Sequence, residues 1–135
     1  MFTVGAITKM PIINSFDHEK HIIYSRCTGK MSLSDFNEYV VRVWSNTEHY
    51  GYNEIFDTTD ADWEAFDFSF LFTVAKNAAQ LKTIDPTSKL AWVVKKGKQH
   101  ELTNFYKNAK AMLPVESRSL EAFFNESDAM TWLES

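Results

Sequence analysis

The order of apolar segments along this 135-residue chain predicts an α/β domain with a mostly parallel five-stranded sheet, one antiparallel edge strand and about four helices. Two short apolar runs flank the four polar residues 17–20, which indicates a β-hairpin at the start. Strand-like and helix-like segments then alternate strictly to the end of the chain. Such alternation is typical of parallel strands joined by right-handed helical crossovers.

The predicted strands are short runs of apolar residues, bounded by glycine, proline or small polar residues. They cover residues 11–16, 21–29, 52–58, 89–95 and 115–124. The stretch Leu90–Val94 is almost continuously apolar, which is typical of a strand that is buried on both faces. The acidic segment 58–62 after the third strand is predicted to be a loop.

The predicted helices repeat their apolar residues at the helical period. They begin at Ser32 or Ser34 and end near Asn46, cover 68–81 and 99–112, and begin again at Asn125 or Ser127. Ser32 with Asp35 resembles a capping box, in which side chain and backbone satisfy each other at the helix start. Asp67 is a suitable N-cap for the second helix. We expect Phe36, Tyr39, Val40, Val43 and Trp44 to form the buried stripe of the first helix.

The bulk composition limits the domain organisation and the class of partner. A chain of this length fits one domain, so we expect an N-terminal arm over 1–10 and a single domain over 11–135. The net charge of −4 argues against a nucleic-acid partner, which normally needs a basic face. No apolar run approaches the roughly 20 residues that span a bilayer, so membrane insertion is not expected. The single cysteine, Cys27, fits a reducing compartment, which favours the cytoplasm.

No pattern of residues predicts a catalytic centre or a metal centre. The four histidines lack ligand spacing, and Cys27 lies inside a predicted strand, where a buried structural thiol is the better interpretation. The serines lack the Gly-x-Ser-x-Gly setting of hydrolases. The acidic run that begins at Asp60 departs from a calcium loop at its sixth position, Ala65, and at its twelfth, Leu71. We therefore expect no cofactor, no metal and no enzymatic activity.

One candidate ligand site is predicted where parallel strands end. Asp57 lies near the end of the third predicted strand and Asp60 in the loop after it, Lys95 ends the fourth strand, and Ser69 opens the second helix. Ligands of open α/β sheets gather at the carboxyl ends of the strands, so these residues are expected on one edge. A solvated loop is the simpler interpretation both of the acidic residues at the end of the third strand and of the basic residue at the end of the fourth.

A second candidate is the aromatic segment around the start of the second helix. Trp63 is followed by four alternating phenylalanines, Phe66, Phe68, Phe70 and Phe72. Alternation taken alone is a strand pattern, but the unbroken, alanine-rich stretch 73–82 favours a helix. Because alternate residues diverge around a helix, some of these rings must face a ligand, a partner or another part of the chain. We expect Trp63 and Phe68 to contribute to an apolar contact or to a homodimer.

The order of these motifs resembles one known family over nearly the whole chain. The first part is 21–29 followed by Ser32-x-x-Asp35-Phe36, Tyr39 and Trp44; the next is Tyr50 with Ile55-Phe56-Asp57-x-x-Asp60; the last is Phe124-Asn125 through Ala129 to Trp132-Leu133. In this order the segments are similar to the SpoIIAA-like family, a STAS-like group related to anti-sigma-factor antagonists. The resemblance implies a SpoIIAA-like fold, a right-handed βα superhelix.

The resemblance also implies a position for a phosphoswitch. The anti-sigma-factor antagonists are phosphorylated on a serine in an Asp-Ser-Ser-Gly turn that opens the second helix. The matching stretch here is Asp67-Phe68-Ser69-Phe70, so Ser69 is the implied phosphorylation site. Phe68 replaces a serine and Phe70 replaces the glycine, which places the chain closer to the branch without an established activity.

Three functions follow from the residues and from the resemblance. The first is a non-enzymatic binding or regulatory module that contacts a regulatory protein or a small apolar or anionic ligand. The second is a Mg²⁺-dependent enzyme that acts on a small phosphorylated metabolite through the acidic loop of Asp57 and Asp60. The third is a phosphoswitch at Ser69.

Overall fold

Five strands form one sheet in the spatial order β1-β2-β3-β4-β5 in the computed structural model, which describes residues 11–64, 66–81, 83–113 and 118–135. The strands are β1 (Ile12–Asp17), β2 (Ile22–Lys30), β3 (Asn53–Asp62), β4 (Lys89–Val93) and β5 (Ser119–Phe123). β1 pairs with β2 in antiparallel fashion, and every later pair is parallel. The predicted sheet is therefore confirmed. The predicted arm 1–10 and residues 115–117 of the predicted last strand lie outside the described residues.

Four α-helices alternate with these strands as predicted. They are α1 (Leu33–Tyr39), α2 (Phe68–Ala79), α3 (Lys98–Ala111) and α4 (Glu126–Leu133). The capping box at α1 is present, because Asp35 N donates to Ser32 Oγ at 3.1 Å and Ser32 N donates to Asp35 Oδ2 at 2.9 Å. Asp67 caps α2 by accepting from Phe70 N at 2.7 Å. Asn125 caps α4, which decides between the two predicted starts.

The first helix changes its winding at its carboxyl end. α1 continues as a π-helical turn over Val40–Trp44, closed by a hydrogen bond from Ser45 N to Val40 O at 3.0 Å. The wider turn adds a residue to the helical register, so Tyr39 and Trp44 both face the sheet. Every member of the predicted stripe of this helix is buried. A short 3-10 turn, Thr47–His49, then leads to β3.

The sheet separates two cores of unequal size. Side chains of α1, α2 and α3 pack with Phe56 and Trp92 on one face in the larger core. On the other face, α4 covers a smaller core around Ile55 and Ala91. This arrangement buries β4 on both faces, as its sequence predicts. Among the described residues, no helix is both long enough and apolar enough to cross a bilayer.

The segment after the third strand differs from its prediction. Residues 58–62 are not a loop, because β3 continues to Asp62 and places Asp57 and Asp60 inside the strand. β2 also extends to Lys30 and pairs with this continuation after a bulge between Arg26 and Thr28. Aspartate is a poor strand former, but a neighbouring strand that supplies backbone partners overrides that weak preference.

Candidate ligand-binding site

A fully buried carboxylate lies beneath the helices of the larger core. Glu54 is the second residue of β3 and is 0% exposed. Alternation along the strand turns Glu54 toward the same face as Phe56, where α1 and the π-helical turn pack. Its oxygens accept four side-chain hydrogen bonds, from Ser25 Oγ at 2.6 Å, Trp44 Nε1 at 2.9 Å, Arg118 NH2 at 3.1 Å and the Tyr39 hydroxyl.

The positive partner of Glu54 is equally enclosed. Arg118 is only 6% exposed, and its guanidinium carbon lies 4.8 Å from the centre of the Trp44 ring. Removing two charges from water is costly, and it is tolerated when the pair is close and the remaining hydrogen-bonding positions are occupied. The three neutral donors meet that condition for Glu54, and the Trp44 ring covers the Arg118 guanidinium. The pair is therefore held in one geometry.

The Tyr39 hydroxyl acts as a donor in this network. Burial raises the pKa of Tyr39 well above its ordinary value, and the negative charge of Glu54 raises it further. The phenol therefore keeps its proton at neutral pH and donates a hydrogen bond to the Glu54 carboxylate. The Glu54 carboxylate is fully engaged by these donors, so it is poorly suited to act as a general base.

An apolar pocket opens beside this network. It lies between the carboxyl-terminal halves of α2 and α3, above the starts of β4 and β5. Its lining consists of Trp44, Ala75, Ala78, Ala79, Leu81, Ile84, Leu90, Tyr106, Lys110, Leu113 and Arg118. The cavity has a volume of about 470 Å³ including its open mouth, and its enclosed part has room for only about two water molecules. The pocket is therefore narrow and suits a small ligand.

Among the residues that the structure describes, the charged groups of the pocket wall are two cationic side chains, Arg118 and Lys110. Lys110 Nζ donates to the backbone oxygen of Arg118 at 3.0 Å, which fixes the amine beside the guanidinium. Burial, together with the positive charge of Arg118, lowers the pKa of Lys110 to about 7. Glu54 already offsets the positive charge of Arg118. An anion in the pocket would therefore favour the protonated form of Lys110, whose positive charge would balance it.

The structure places the charged candidates of the sequence prediction elsewhere, along the other end of the sheet. Asp57 Oδ1 accepts from the Thr59 hydroxyl at 2.7 Å and from Thr59 N at 3.0 Å. Asp60 forms an ion pair at 2.6 Å with Arg26, and both side chains are more than half exposed. Within the four described ranges, no group of three or more potential ligands could hold a metal ion.

The remaining candidates are exposed or buried independently of one another. Lys95 is exposed, and its backbone N–H donates to Gln99 Oε1 at 2.9 Å. Ser69 is exposed in the first turn of α2. Trp63 is a core residue whose Nε1 donates to Thr58 O at 3.2 Å. In the described part of the chain, no hydrogen bond joins any two of the predicted site residues.

The aromatic segment divides as the helical period requires. Phe66 and Phe70 are buried and stack with ring centres 4.7 Å apart. Phe68 and Phe72 point outward and are 59% and 43% exposed. Phe68 also contacts Phe105 of α3, with 4.5 Å between ring centres. The prediction that one helix cannot bury all these rings is confirmed.

Sequence reasoning missed the residues that form the pocket and its network. Glu54 carries the one available signal, a charge inside a strand whose next residues, Ile55 and Phe56, are apolar. Arg118 lies 64 residues from Glu54 along the chain, so no local pattern could pair them. Lys110 looks like an ordinary solvated lysine at a helix end. The predicted site was placed at the carboxyl ends of the strands, whereas this pocket lies at the amino ends of β4 and β5.

The sheet order and its helices define an α/β domain with a SpoIIAA-like fold. The chain is similar to a solved structure described as an uncharacterised protein from the DUF3478 family with a SpoIIAA-like fold, from Shewanella loihica PV-4. The two share 17% sequence identity, with a TM-score of 0.55, over 90% of this chain and 91% of that chain. No protein-family model and no curated protein matches the sequence. At this identity the likeness establishes the fold alone, and it confirms the fold expected from the sequence.

Proposed function

We propose that this chain is a non-enzymatic binding module that takes a small ligand with an apolar body and one anionic group in the pocket between α2 and α3. One observation carries the proposal: mainly apolar residues surround a narrow space whose charged lining groups, in the described part of the chain, are Arg118 and Lys110. Ligand sites are typically concave and mostly apolar, with a few polar groups that fix orientation.

The electrostatics of the pocket favour an anion over a neutral or cationic ligand. Glu54 offsets the charge of Arg118 inside the core, and Lys110 is close to half-protonated at pH 7. A carboxylate beside the amine would raise the pKa of Lys110 and would therefore be taken up together with a proton above pH 7. A cationic ligand would be repelled by the positive charges of Arg118 and Lys110.

That the module is not an enzyme is inferred from the hydrogen bonds of its two buried acidic groups, Glu54 and Tyr39. The four donors around Glu54 occupy its oxygens. Burial and the Glu54 carboxylate raise the pKa of Tyr39, so its hydroxyl keeps its proton. Neither group is placed to exchange protons with a ligand. The network therefore supports a binding role for the pocket.

Three matched probes test the proposal: butyrate, 1-butanol and butylamine. We expect butyrate to shift the indole N–H resonance of Trp44 saturably, because Trp44 lines the pocket. A hydrogen bond to a charged group contributes about 1.5–3 kcal/mol, so butanol should bind roughly tenfold or more weakly. Butylamine should cause no saturable shift.

Two variants and their controls locate the site. Ala78→Phe fills the pocket and should abolish the butyrate shift, whereas Asn77→Phe, on the exposed side of α2, should retain it. Lys110→Met should weaken butyrate but not butanol, and Lys107→Met serves as the control on the same helix. Equal responses to butyrate and butanol, or an unchanged shift in Ala78→Phe, would contradict the proposal.

The other predicted functions stay predictions. A phosphoswitch would need Ser69, which is exposed in the first turn of α2, where a phosphate is electrostatically favoured. Contact with a protein partner or self-association would use the exposed rings of Phe68 and Phe72. For a Mg²⁺-dependent enzyme, Asp60 would first have to leave its ion pair with Arg26.

A further inference from the structure

We infer that Lys110 captures a short 2-oxo acid as a covalent imine inside the pocket between α2 and α3. The inference rests on the proposed function, because it assigns a ligand class to the same pocket. It depends on three features of the structure: where the amine lies, what keeps it nucleophilic, and which group stands beside it.

The amine of Lys110 differs in position from the other lysine of its helix face. Lys110 lines the pocket, and its Nζ lies 5.9 Å from the centre of the Tyr106 ring. The bond to the Arg118 backbone oxygen occupies one N–H and holds the nitrogen in place. Lys107, one turn earlier, is 45% exposed and forms an ion pair with Glu121. The two lysines thus provide a half-buried amine and an exposed one on the same helix.

The surroundings of Lys110 favour the neutral amine, which is the nucleophilic form. No carboxylate hydrogen-bonds to its Nζ among the residues that the structure describes, and Arg118 repels its protonated form. A lysine becomes a nucleophile at neutral pH when it is desolvated and placed beside another cation. Both conditions hold here.

Arg118 supplies the recognition element for a carboxylate next to the reacting carbonyl. A guanidinium carries five N–H donors, and the contact with Glu54 is made by NH2 alone. Arg118 also lines the pocket, so its remaining donors can reach a carboxylate there. A 2-oxo acid places its carboxylate one bond from its carbonyl, which matches the adjacent guanidinium and amine. The narrow interior favours a short, unbranched chain.

The chemical step is a condensation that balances without an oxidant or reductant. The nitrogen lone pair of Lys110 forms a C–N bond to the carbonyl carbon, and a proton moves from nitrogen to oxygen, which gives a carbinolamine. Loss of that hydroxyl as water, with a second nitrogen proton, gives the imine. Hydrolysis reverses the step, so the capture is reversible.

Reductive trapping tests the inference. The protein is incubated with 2-oxobutyrate and sodium cyanoborohydride at pH 7.5, and peptide mass spectrometry compares Lys110 with Lys107. We expect labelling at Lys110 to be roughly tenfold or more faster, because an exposed lysine is almost wholly protonated at this pH. Lys110→Arg should lose this label, and Lys107→Arg should retain it. Labelling that is equal at both lysines would overturn the inference.

Two further measurements separate the inference from the proposed function. The trapping rate at Lys110 should rise with pH around 7. A flat profile at Lys110 would contradict the inference even if the site is labelled. Butyrate has no carbonyl, so a Trp44 shift with butyrate but no trapping of 2-oxobutyrate would refute the imine and leave the binding proposal standing. Loss of both signals would refute both.

Discussion

Replacing Glu54 with glutamine tests whether the buried network has the energetic role that its geometry implies. The substitution keeps the size of the side chain and removes its charge. Four donors then compete for one amide oxygen, which can accept two hydrogen bonds at most. The amide NH₂ also faces donors rather than acceptors, and Arg118 loses its compensating charge inside the core.

The expected cost follows from two separate arguments. Breaking a buried ion pair on one side costs about 3–5 kcal/mol. Leaving two buried donors without an acceptor costs about 1–3 kcal/mol each, which gives a similar total. We therefore expect Glu54→Gln to lower the free energy of unfolding by about 3–5 kcal/mol in urea denaturation followed by tryptophan fluorescence.

Matched variants make the result interpretable. Asp60→Asn breaks the exposed ion pair with Arg26 and should leave the free energy of unfolding nearly unchanged, because water already solvates both groups. Ser25→Ala removes one donor of the four and should cost about 1 kcal/mol, which keeps the test usable if Glu54→Gln does not fold. A loss below about 1 kcal/mol in Glu54→Gln would refute the reasoning, since the network would then be replaceable by ordinary packing.

Three further outcomes are expected. The free energy of unfolding should rise between pH 7 and about pH 10, because Lys110 binds fewer protons in the folded protein than in the unfolded chain across that window. Thermal unfolding of Lys110→Met should lack this rise. A variant profile identical to that of the unmodified protein would disprove the pKa assigned to Lys110. Ser32→Ala should reduce the free energy of unfolding by about 1 kcal/mol in urea, because it removes the N-cap of α1, while the exposed Ser34→Ala should have little effect. The Cys27 thiol, buried and with its pKa raised by burial to about 12, should react with a disulfide reagent at pH 8 only after denaturation, so rapid labelling of the native protein would contradict its placement.

The fold was accessible from the sequence because its signals are local. Ser32 with Asp35 marks the start of α1, and the apolar run Leu90–Val94 marks a central strand. The boundary of β3 was not accessible, since the pairing of β2 beyond Cys27 draws Asp60 and Asp62 into the strand. A strand end is decided by the partner strand as much as by its own residues.

The candidate site was less accessible, for a different physical reason. Asp57, Asp60 and Lys95 attract attention as charges near strand ends, yet each is solvated or engaged locally. The pocket's charged residues, Arg118 and Lys110, come from the residue just before β5 and from the end of α3, and Glu54, which pairs with Arg118, comes from the start of β3. Their importance arises from burial, which a residue type alone does not reveal.

By itself, the sequence determined that this protein is an α/β domain with a hairpin, a parallel sheet, buried aromatic stripes and a SpoIIAA-like order of elements. Hydrophobic periodicity and capping residues act over a few positions, so they can be read along the chain. Only the tertiary structure decided that Glu54, Arg118, Tyr39 and Trp44 share one desolvated cluster and that Lys110 lines an apolar pocket beside it. Desolvation and charge pairing depend on groups far apart in sequence, and those groups meet only when the chain is folded.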